Sequence, residues 1–261
     1  MMSIIRKLYL FIFCCLAIST FGQTKSKILF DSKDSLSRTH IVLGLPNDND
    51  SSDDYLIYRT QYVLSYNPKH GVPNWVAWNL SDYWYGETDR YTGNFISDPV
   101  LLKNMYQVKH NDYTKSGYDR GHVVRSKERS RNETDNKSTF FLTNIMPQTP
   151  DLNRGVWLNF EYYCEKLCTE NHKQLFVYAG GVYHSNTTLN NKGKVSIPDS
   201  CFKIVLILDK NQTIKNINAN TKVIAVMMPN TKGIRKDKWG KYITTVRWIE
   251  NSTGYDFFSN I

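Results

Sequence analysis

Short apolar segments separated by turn residues dominate the middle and the end of the chain. β-branched and aromatic residues fill these segments, which is typical of strands. Strands are predicted at residues 55–58, 62–66, 73–78, 118–124, 175–179, 202–208 and 223–229. The run at 202–208 is almost entirely apolar, as expected for a strand covered on both faces. It is therefore predicted to lie near the centre of a sheet.

A longer periodic segment predicts a helix. Residues from Val156 to Leu167 place Trp157 and Phe160 where a helix could bury them in a core. Residues 239–250 fit either a strand or a short helix. Because strands outnumber helices without regular alternation, we expect an α+β fold with a mainly antiparallel central sheet flanked by helices.

The composition is that of a globular protein with a real core, because 41% of the residues are apolar and 22% are charged. With 33 basic and 24 acidic residues, the net charge is +9. A surplus of this size favours polyanionic partners through long-range attraction. Many exported proteins are basic without such a partner, so charge alone leaves the partner open.

The first 22 residues have the pattern of a secretory signal peptide. Arg6 and Lys7 precede an apolar stretch that is short for a membrane span. Cleavage before Gln23 would remove two of the 33 basic residues, leaving 31 against 24 acidic ones and a net charge of +7. The alternative is an uncleaved membrane anchor. We expect a secreted or periplasmic protein without stable membrane association after cleavage.

The segment at 23–54 is polar and ends in an acidic run at 46–54. Such a composition predicts a linker or mobile loop ahead of a main domain at residues 55–261. Beyond the signal segment the cysteines are Cys164, Cys168 and Cys201, which lack the spacing of a zinc site. They are expected to be small packing residues, and a bridge from Cys201 to one of the others stays open.

Reactive side chains concentrate at Ser116–Val124, where His122 follows Asp119, Arg120 and a glycine. A neutral histidine ring at such a turn can accept a proton from water. By itself the motif also fits an ordinary charged turn. Two later segments, Asn144–Gln148 and Asn153–Trp157, make the pattern specific, and Glu161 follows eight residues after Asn153.

With these three ordered motifs, residues 55–261 resemble the DNA/RNA non-specific endonucleases with a ββα-metal site. That family includes the secreted Serratia-type nuclease and mitochondrial endonuclease G. The resemblance implies that His122 is the general base and that Asn153 is the one direct protein ligand of Mg²⁺. It also implies that Glu161 holds the water shell of the metal and that Arg90 steadies the phosphate.

Three further residues have less defined parts in the resemblance. Arg120 is expected to orient the site or touch substrate, and Asp119 to be a structural partner. Family members often carry an arginine where this chain has Glu165. The second phosphate contact is then expected from Arg154, from Lys166 or from the basic loop at 125–138, unless it is absent.

The resemblance therefore implies an exported endonuclease that hydrolyses DNA, and RNA as well, with little sequence preference. Mg²⁺ is the expected cofactor, with Mn²⁺ or another divalent cation as a substitute, and a homodimer is compatible with the sequence. Two alternatives stay open. One is a non-catalytic protein that binds polyanions on the same scaffold; the other is a phosphodiesterase for small nucleotides.

Overall fold

An antiparallel sheet forms the middle of the fold in the computed structural model, which describes residues 35–261. The strands are β1 (Tyr55–Tyr58), β2 (Val63–Asn67), β3 (Val72–Leu80), β4 (Asp119–His122), β5 (Ile145–Gln148), β6 (Lys173–Val182), β7 (Ser200–Asp209), β8 (Val223–Pro229) and β9 (Ile243–Thr244). Seven of them form the main sheet in the order β1-β2-β3-β6-β7-β8-β9, and β4 pairs with β5 in a separate ribbon. Neighbouring strands are antiparallel throughout.

Helices flank the sheet. The α-helices are α1 (Ser35–His40), α2 (Glu133–Ser138), α3 (Trp157–Thr169) and α4 (Val246–Thr253). Single turns of 3₁₀-helix occupy Asp82–Trp84, His110–Tyr113, Ser126–Arg129, Leu142–Asn144, Leu189–Asn191, Ile214–Asn216 and Trp239–Tyr242. No helix within residues 35–261 has the length and apolar character needed to cross a membrane. The expected α+β fold and the long helix after residue 156 are confirmed.

The sheet carries a core on each face because alternate residues of a strand point in opposite directions. Val177 of β6 pairs with Val205 of β7, and both belong to the core that α3 covers. Their neighbours Phe176 and Leu206 belong to the opposite core, together with Ile249 of α4. The β4–β5 ribbon packs on the α3 side, so the motif residues lie on that side of the sheet.

The structure differs from the expected linker at 23–54 in the part that it describes. The backbone of Asn47 pairs with that of Asp256, near the end of the chain. Asn67 of β2 donates a hydrogen bond to Asp53 at 2.6 Å, and Ser65 donates one to Asp54. These hydrogen bonds fix Asp53 and Asp54 against β2, whereas residues 49–52 of the acidic run are exposed. The predicted signal peptide at residues 1–22 lies outside the described residues.

The expected basic loop at 125–138 contains a 3₁₀ turn and α2. Arg129 within it is completely buried, and its Nε donates a hydrogen bond to the carbonyl oxygen of Gln61 at 2.8 Å. Its guanidinium also lies 4.1 Å from the ring centre of Trp84. This cation therefore holds the core together and is not available to an outside partner.

Cys164, Cys168 and Cys201 are free thiols, and all three are buried. A bridge from Cys201, left open by the sequence, is absent. The sulfur of Cys168 instead lies 3.7 Å from the carbonyl oxygen of Leu80, as a weak donor to the sheet. The cysteines thus act as small packing residues.

Candidate active site

Strand β4 is aligned by the downstream motif around Asn144. The Asn144 side chain accepts a hydrogen bond from the backbone nitrogen of Val124 and donates one to its carbonyl oxygen, each at 3.0 Å. Gly121 lies directly against Gln148 of β5, where an added Cβ would come within 2.2 Å of the Gln148 Oε1. A larger residue here would require the Gln148 side chain to move, and the pairing of β4 with β5 places His122 opposite Ile145.

The His122 ring lies in an aromatic pocket. Its centre is 5.2 Å from that of Phe95 and 4.8 Å from that of Phe140. The Nε2 atom is buried and has no hydrogen-bond partner among the described residues. Burial, and secondly the charge of Arg90, lower the pKa of His122 to about 3. The ring is therefore neutral near pH 7, and one of its two nitrogens then has a lone pair available as an acceptor.

One guanidinium group, that of Arg90, lies near this ring, and that of Arg125 lies near Arg90. Arg90 lies over Phe140 with its Cζ 4.8 Å from the ring centre, and it donates a hydrogen bond to the hydroxyl of Ser126. Burial and the nearby charge of Arg125 lower the pKa of Arg90. Two like charges in proximity favour an anion between them, so this corner suits a phosphate group.

Arg125 is held by two carboxylates of α3. It donates to Glu165 at 2.6 Å, and its Nε lies 3.8 Å from the Glu161 Oε2. Burial disfavours its charge, but these carboxylates raise the pKa of Arg125 above its ordinary value. Tyr162 supports the group, with its ring centre 4.7 Å from the guanidinium. Glu165, which departs from the family pattern, is thus paired with an arginine from the basic loop.

Lys203 is a site residue that the sequence analysis missed. It is buried in β7 with its Nζ 3.4 Å from the Glu161 Oε1 and 4.3 Å from the ring centre of Trp157. Glu161 is also buried, so each charge needs the other. A sequence signal was available, because Lys203 is the one charged residue in the apolar run at 201–208.

Asn153 forms a second group with Asp119 and Arg154. Its side-chain nitrogen donates to Asp119 at 2.9 Å, and Arg154 donates to the same carboxylate at 2.6 and 2.7 Å. The Asn153 Oδ1 has no hydrogen-bond partner in the described part of the chain. Asn153 sits in a π-helical turn, Leu152–Val156, with Gly155 in a non-helical conformation. It is therefore displayed by the turn and does not serve as a helix cap.

Arg120 belongs to neither group. Its Nη2 donates a hydrogen bond to the carbonyl oxygen of His110 at 2.8 Å, and the guanidinium lies 5.8 Å from the ring centre of Phe95. Phe95 in turn contacts the His122 ring. The structure thus places Arg120 behind an aromatic neighbour of His122, where it fixes the surrounding backbone.

The fold resembles that of a solved structure, "Crystal structure of the EndoG/EndoGI complex: Mechanism of EndoG inhibition". The TM-score is 0.74 at 22% identity, over 88% of this chain and 94% of that chain. A nuclease of Nostoc sp. (strain PCC 7120 / SAG 25.82 / UTEX 2576) is 42% identical over 229 residues, covering 85% of this chain and 81% of its own length.

More distant relatives are mitochondrial. Human mitochondrial endonuclease G is 26% identical, covering 78% of this chain and 69% of its own length. The family model described as DNA/RNA non-specific endonuclease matches residues 44–261, so it includes part of the expected linker. The chain therefore belongs to the DNA/RNA non-specific endonuclease family, and its relatives support a nuclease.

Proposed function

We propose that the chain is an exported, Mg²⁺-dependent endonuclease that hydrolyses DNA and RNA with little sequence preference. The observation that carries the proposal is the buried His122 Nε2, which has no hydrogen-bond partner among residues 35–261 and lies close enough to Arg90 to feel its charge. A neutral ring nitrogen near the Arg90 guanidinium, with Arg125 close to Arg90, is suited to water attack on a phosphodiester. The signal-like segment at residues 1–22 supports export.

The reaction follows from these positions. His122 takes a proton from the water that attacks phosphorus. The guanidinium groups of Arg90 and Arg125 bind the phosphate oxygens, where negative charge increases during attack. Arg154 pairs with Asp119, yet 59% of its side chain is accessible. It is proposed to contact a neighbouring phosphate. Because phosphates carry no sequence information, these contacts predict weak sequence preference.

The residues around Asn153 fit a magnesium ion. No group of three or more His, Cys, Asp or Glu residues within 35–261 could hold a metal, so a cage made of protein ligands is not available there. The unpartnered amide oxygen of Asn153 can serve as a single ligand, because Mg²⁺ keeps most of its waters. Glu161 is proposed to accept hydrogen bonds from those waters. When bound, the ion would neutralise charge on the phosphate and the leaving oxygen.

Plasmid digestion with Mg²⁺ or with excess EDTA tests the proposal. We expect nicking and linearisation with Mg²⁺, none with EDTA, and loss of cleavage in His122→Ala. The exposed His184, changed to alanine, is the matched control and should cleave normally. Cleavage that persists in EDTA would refute the metal requirement, and a fully active His122→Ala would refute the general base.

The two alternatives predict different results when a plasmid and a dinucleotide are each used as substrate. A polyanion-binding protein would retard the plasmid in a salt-sensitive way without breaking it. A phosphodiesterase for small nucleotides would hydrolyse a dinucleotide faster than long DNA. The presence of His122, Asn153 and Glu161 together favours the endonuclease, since binding alone requires none of them.

A further inference from the structure

A second set of cations lies outside the site described above, in residues 232–241, here called the basic segment. Its cationic side chains are all exposed: Lys232, Arg235, Lys236, Lys238 and Lys241. Among residues 35–261, only the last of these forms an ion pair, with Asp237 at 2.9 Å. The other four charges have no carboxylate partner there, so the basic segment presents uncompensated positive charge.

The basic segment is fixed against the turn that displays Asn153. The backbone nitrogen of Gly233 donates a hydrogen bond to Asp151 at 2.7 Å. Farther along, the carbonyl oxygen of Arg235 packs so closely on Gly155 that an added Cβ would lie 2.6 Å from it. These contacts lie two residues on either side of Asn153. The cations therefore stand next to the proposed metal ligand at a fixed position.

The ring of Trp239 in the segment and that of Tyr242, the next residue after the segment, are both packed against the core. Trp239 packs against Phe160 and Tyr163 of α3, with ring centres 4.9 and 4.8 Å away. The Tyr242 hydroxyl donates a hydrogen bond to Asp237. Single-stranded nucleic acid is bound largely by stacking bases on available rings, whereas a duplex presents its phosphates. Cations without available rings fit the backbone of a duplex.

We propose that the basic segment binds the phosphate backbone of duplex DNA beside the bond that is cut. The proposal rests on the proposed function for the identity of the substrate, but it does not depend on the hydrolytic step. It gives the enzyme a contact that a short substrate cannot reach. Long duplexes are therefore bound more tightly than the active-site cations alone allow.

Fluorescence anisotropy of a labelled duplex, measured in EDTA over a series of salt concentrations, tests the surface without cleavage. The test variant carries Lys236→Gln and Lys238→Gln. The control carries Lys215→Gln and Lys222→Gln, two exposed lysines at the opposite end of β8. Each lost phosphate contact reduces the slope of log affinity against log salt by about 0.9. We expect the test slope to be shallower by about 1.8 and the control slope to be unchanged.

Equal slopes for the test and control variants would overturn the proposal. A larger loss on a single-stranded oligonucleotide than on the duplex would overturn the duplex assignment. A plasmid assay on the same proteins separates the two proposals. Salt-dependent duplex binding by the basic segment without any Mg²⁺-dependent cleavage would refute the proposed function and support the surface. Mg²⁺-dependent cleavage with an unaltered salt slope in the test variant would support the proposed function and refute the binding surface.

Discussion

Asp119 accepts the side-chain amide of Asn153 at 2.9 Å, which turns the amide oxygen of Asn153 away from the carboxylate. Arg154 binds the same carboxylate and limits its rotation. The acidic residue of the central motif therefore controls which atom Asn153 presents. Groups that orient a metal ligand in this way typically change metal affinity when they are removed.

Replacing Asp119 by alanine should weaken the binding of Mg²⁺ without removing the proposed ligand, Asn153. We expect the Mg²⁺ concentration for half-maximal cleavage to rise about 10- to 100-fold, because Asn153 can then rotate. A magnesium titration of DNA cleavage measures this. Asp256→Ala is the control, since it removes an exposed carboxylate near the end of the chain and leaves the hydrogen bond from Asn153 to Asp119 in place. An Asp119→Ala enzyme with a normal magnesium response would contradict the orienting role.

Lys203→Met should destabilise the fold. The change leaves the buried Glu161 carboxylate without its cation in β7, and breaking a buried pair costs about 3–5 kcal/mol. Urea unfolding measures the loss. The double variant Lys203→Met with Glu161→Gln should recover part of it, because the carboxylate closest to the lost cation is then neutral. Equal stability of the single and double variants would argue against the pairing.

Arg125→Gln should lower kcat/KM for DNA by about 100-fold, as expected when one charged donor to the reacting phosphate is lost. Glu165→Gln should have a smaller effect, since it only releases the arginine from its 2.6 Å contact. Lys127→Gln is the charge-matched control, because Lys127 is exposed in the same loop. If Lys127→Gln and Arg125→Gln reduced kcat/KM equally, general charge rather than position would explain the effect.

The stability of the protein should decrease in acid because of His40. This ring is buried, contacts the carbonyl oxygen of Thr60 at 2.7 Å and accepts from the Asn79 backbone nitrogen at 3.0 Å. Burial and then Arg129 lower the pKa of His40 from 6.5 to about 3. As the pH falls from 6.5 towards 3, the unfolded chain takes up a proton that the folded chain refuses. The free energy of unfolding should therefore drop by about 2 kcal/mol between pH 6.5 and 5 from this residue.

Urea titrations at several pH values measure this dependence. His122 acts in the same direction, so the two histidines add. His40→Gln should give a flatter dependence on pH, although its stability at pH 7 is lower. His184→Gln, with an exposed side chain, is the control. An unchanged pH dependence in His40→Gln would rule out its contribution.

Local patterns were sufficient to predict the sheet. The apolar run at 202–208 needs cover on both faces, and β7 has β6 and β8 as neighbours and a core on each side. Polar composition was a poorer guide at Asp53 and Asp54, because hydrogen bonds from β2 fix these two side chains. Composition shows that a segment has too few apolar residues for a core of its own. It does not show which hydrogen bonds neighbouring strands donate to that segment.

From the sequence, residues of the site could be predicted only through the motifs. The resemblance of the motifs implies His122, Asn153 and Glu161, whose roles stay predictions; it does not point to Lys203, whose partner lies 42 positions earlier in the chain. Likewise the pairing of Arg125 with Glu165 joins a loop to a helix across 40 positions. Charge pairs of this kind depend on tertiary packing, which periodicity does not contain. Arg129 was expected in a basic loop that could contact phosphate, but its side chain is buried.

The two outer segments of the domain meet on the sheet face opposite α3. Asn47 pairs with Asp256, and the Asn260 backbone nitrogen donates to the carbonyl oxygen of Leu43 at 3.1 Å. A short connection could therefore join these segments, with new ends opened in the exposed turn at 210–211. Such a circularly permuted enzyme would keep every contact of the site, and a fusion partner or surface attachment there would leave the nucleic-acid side free.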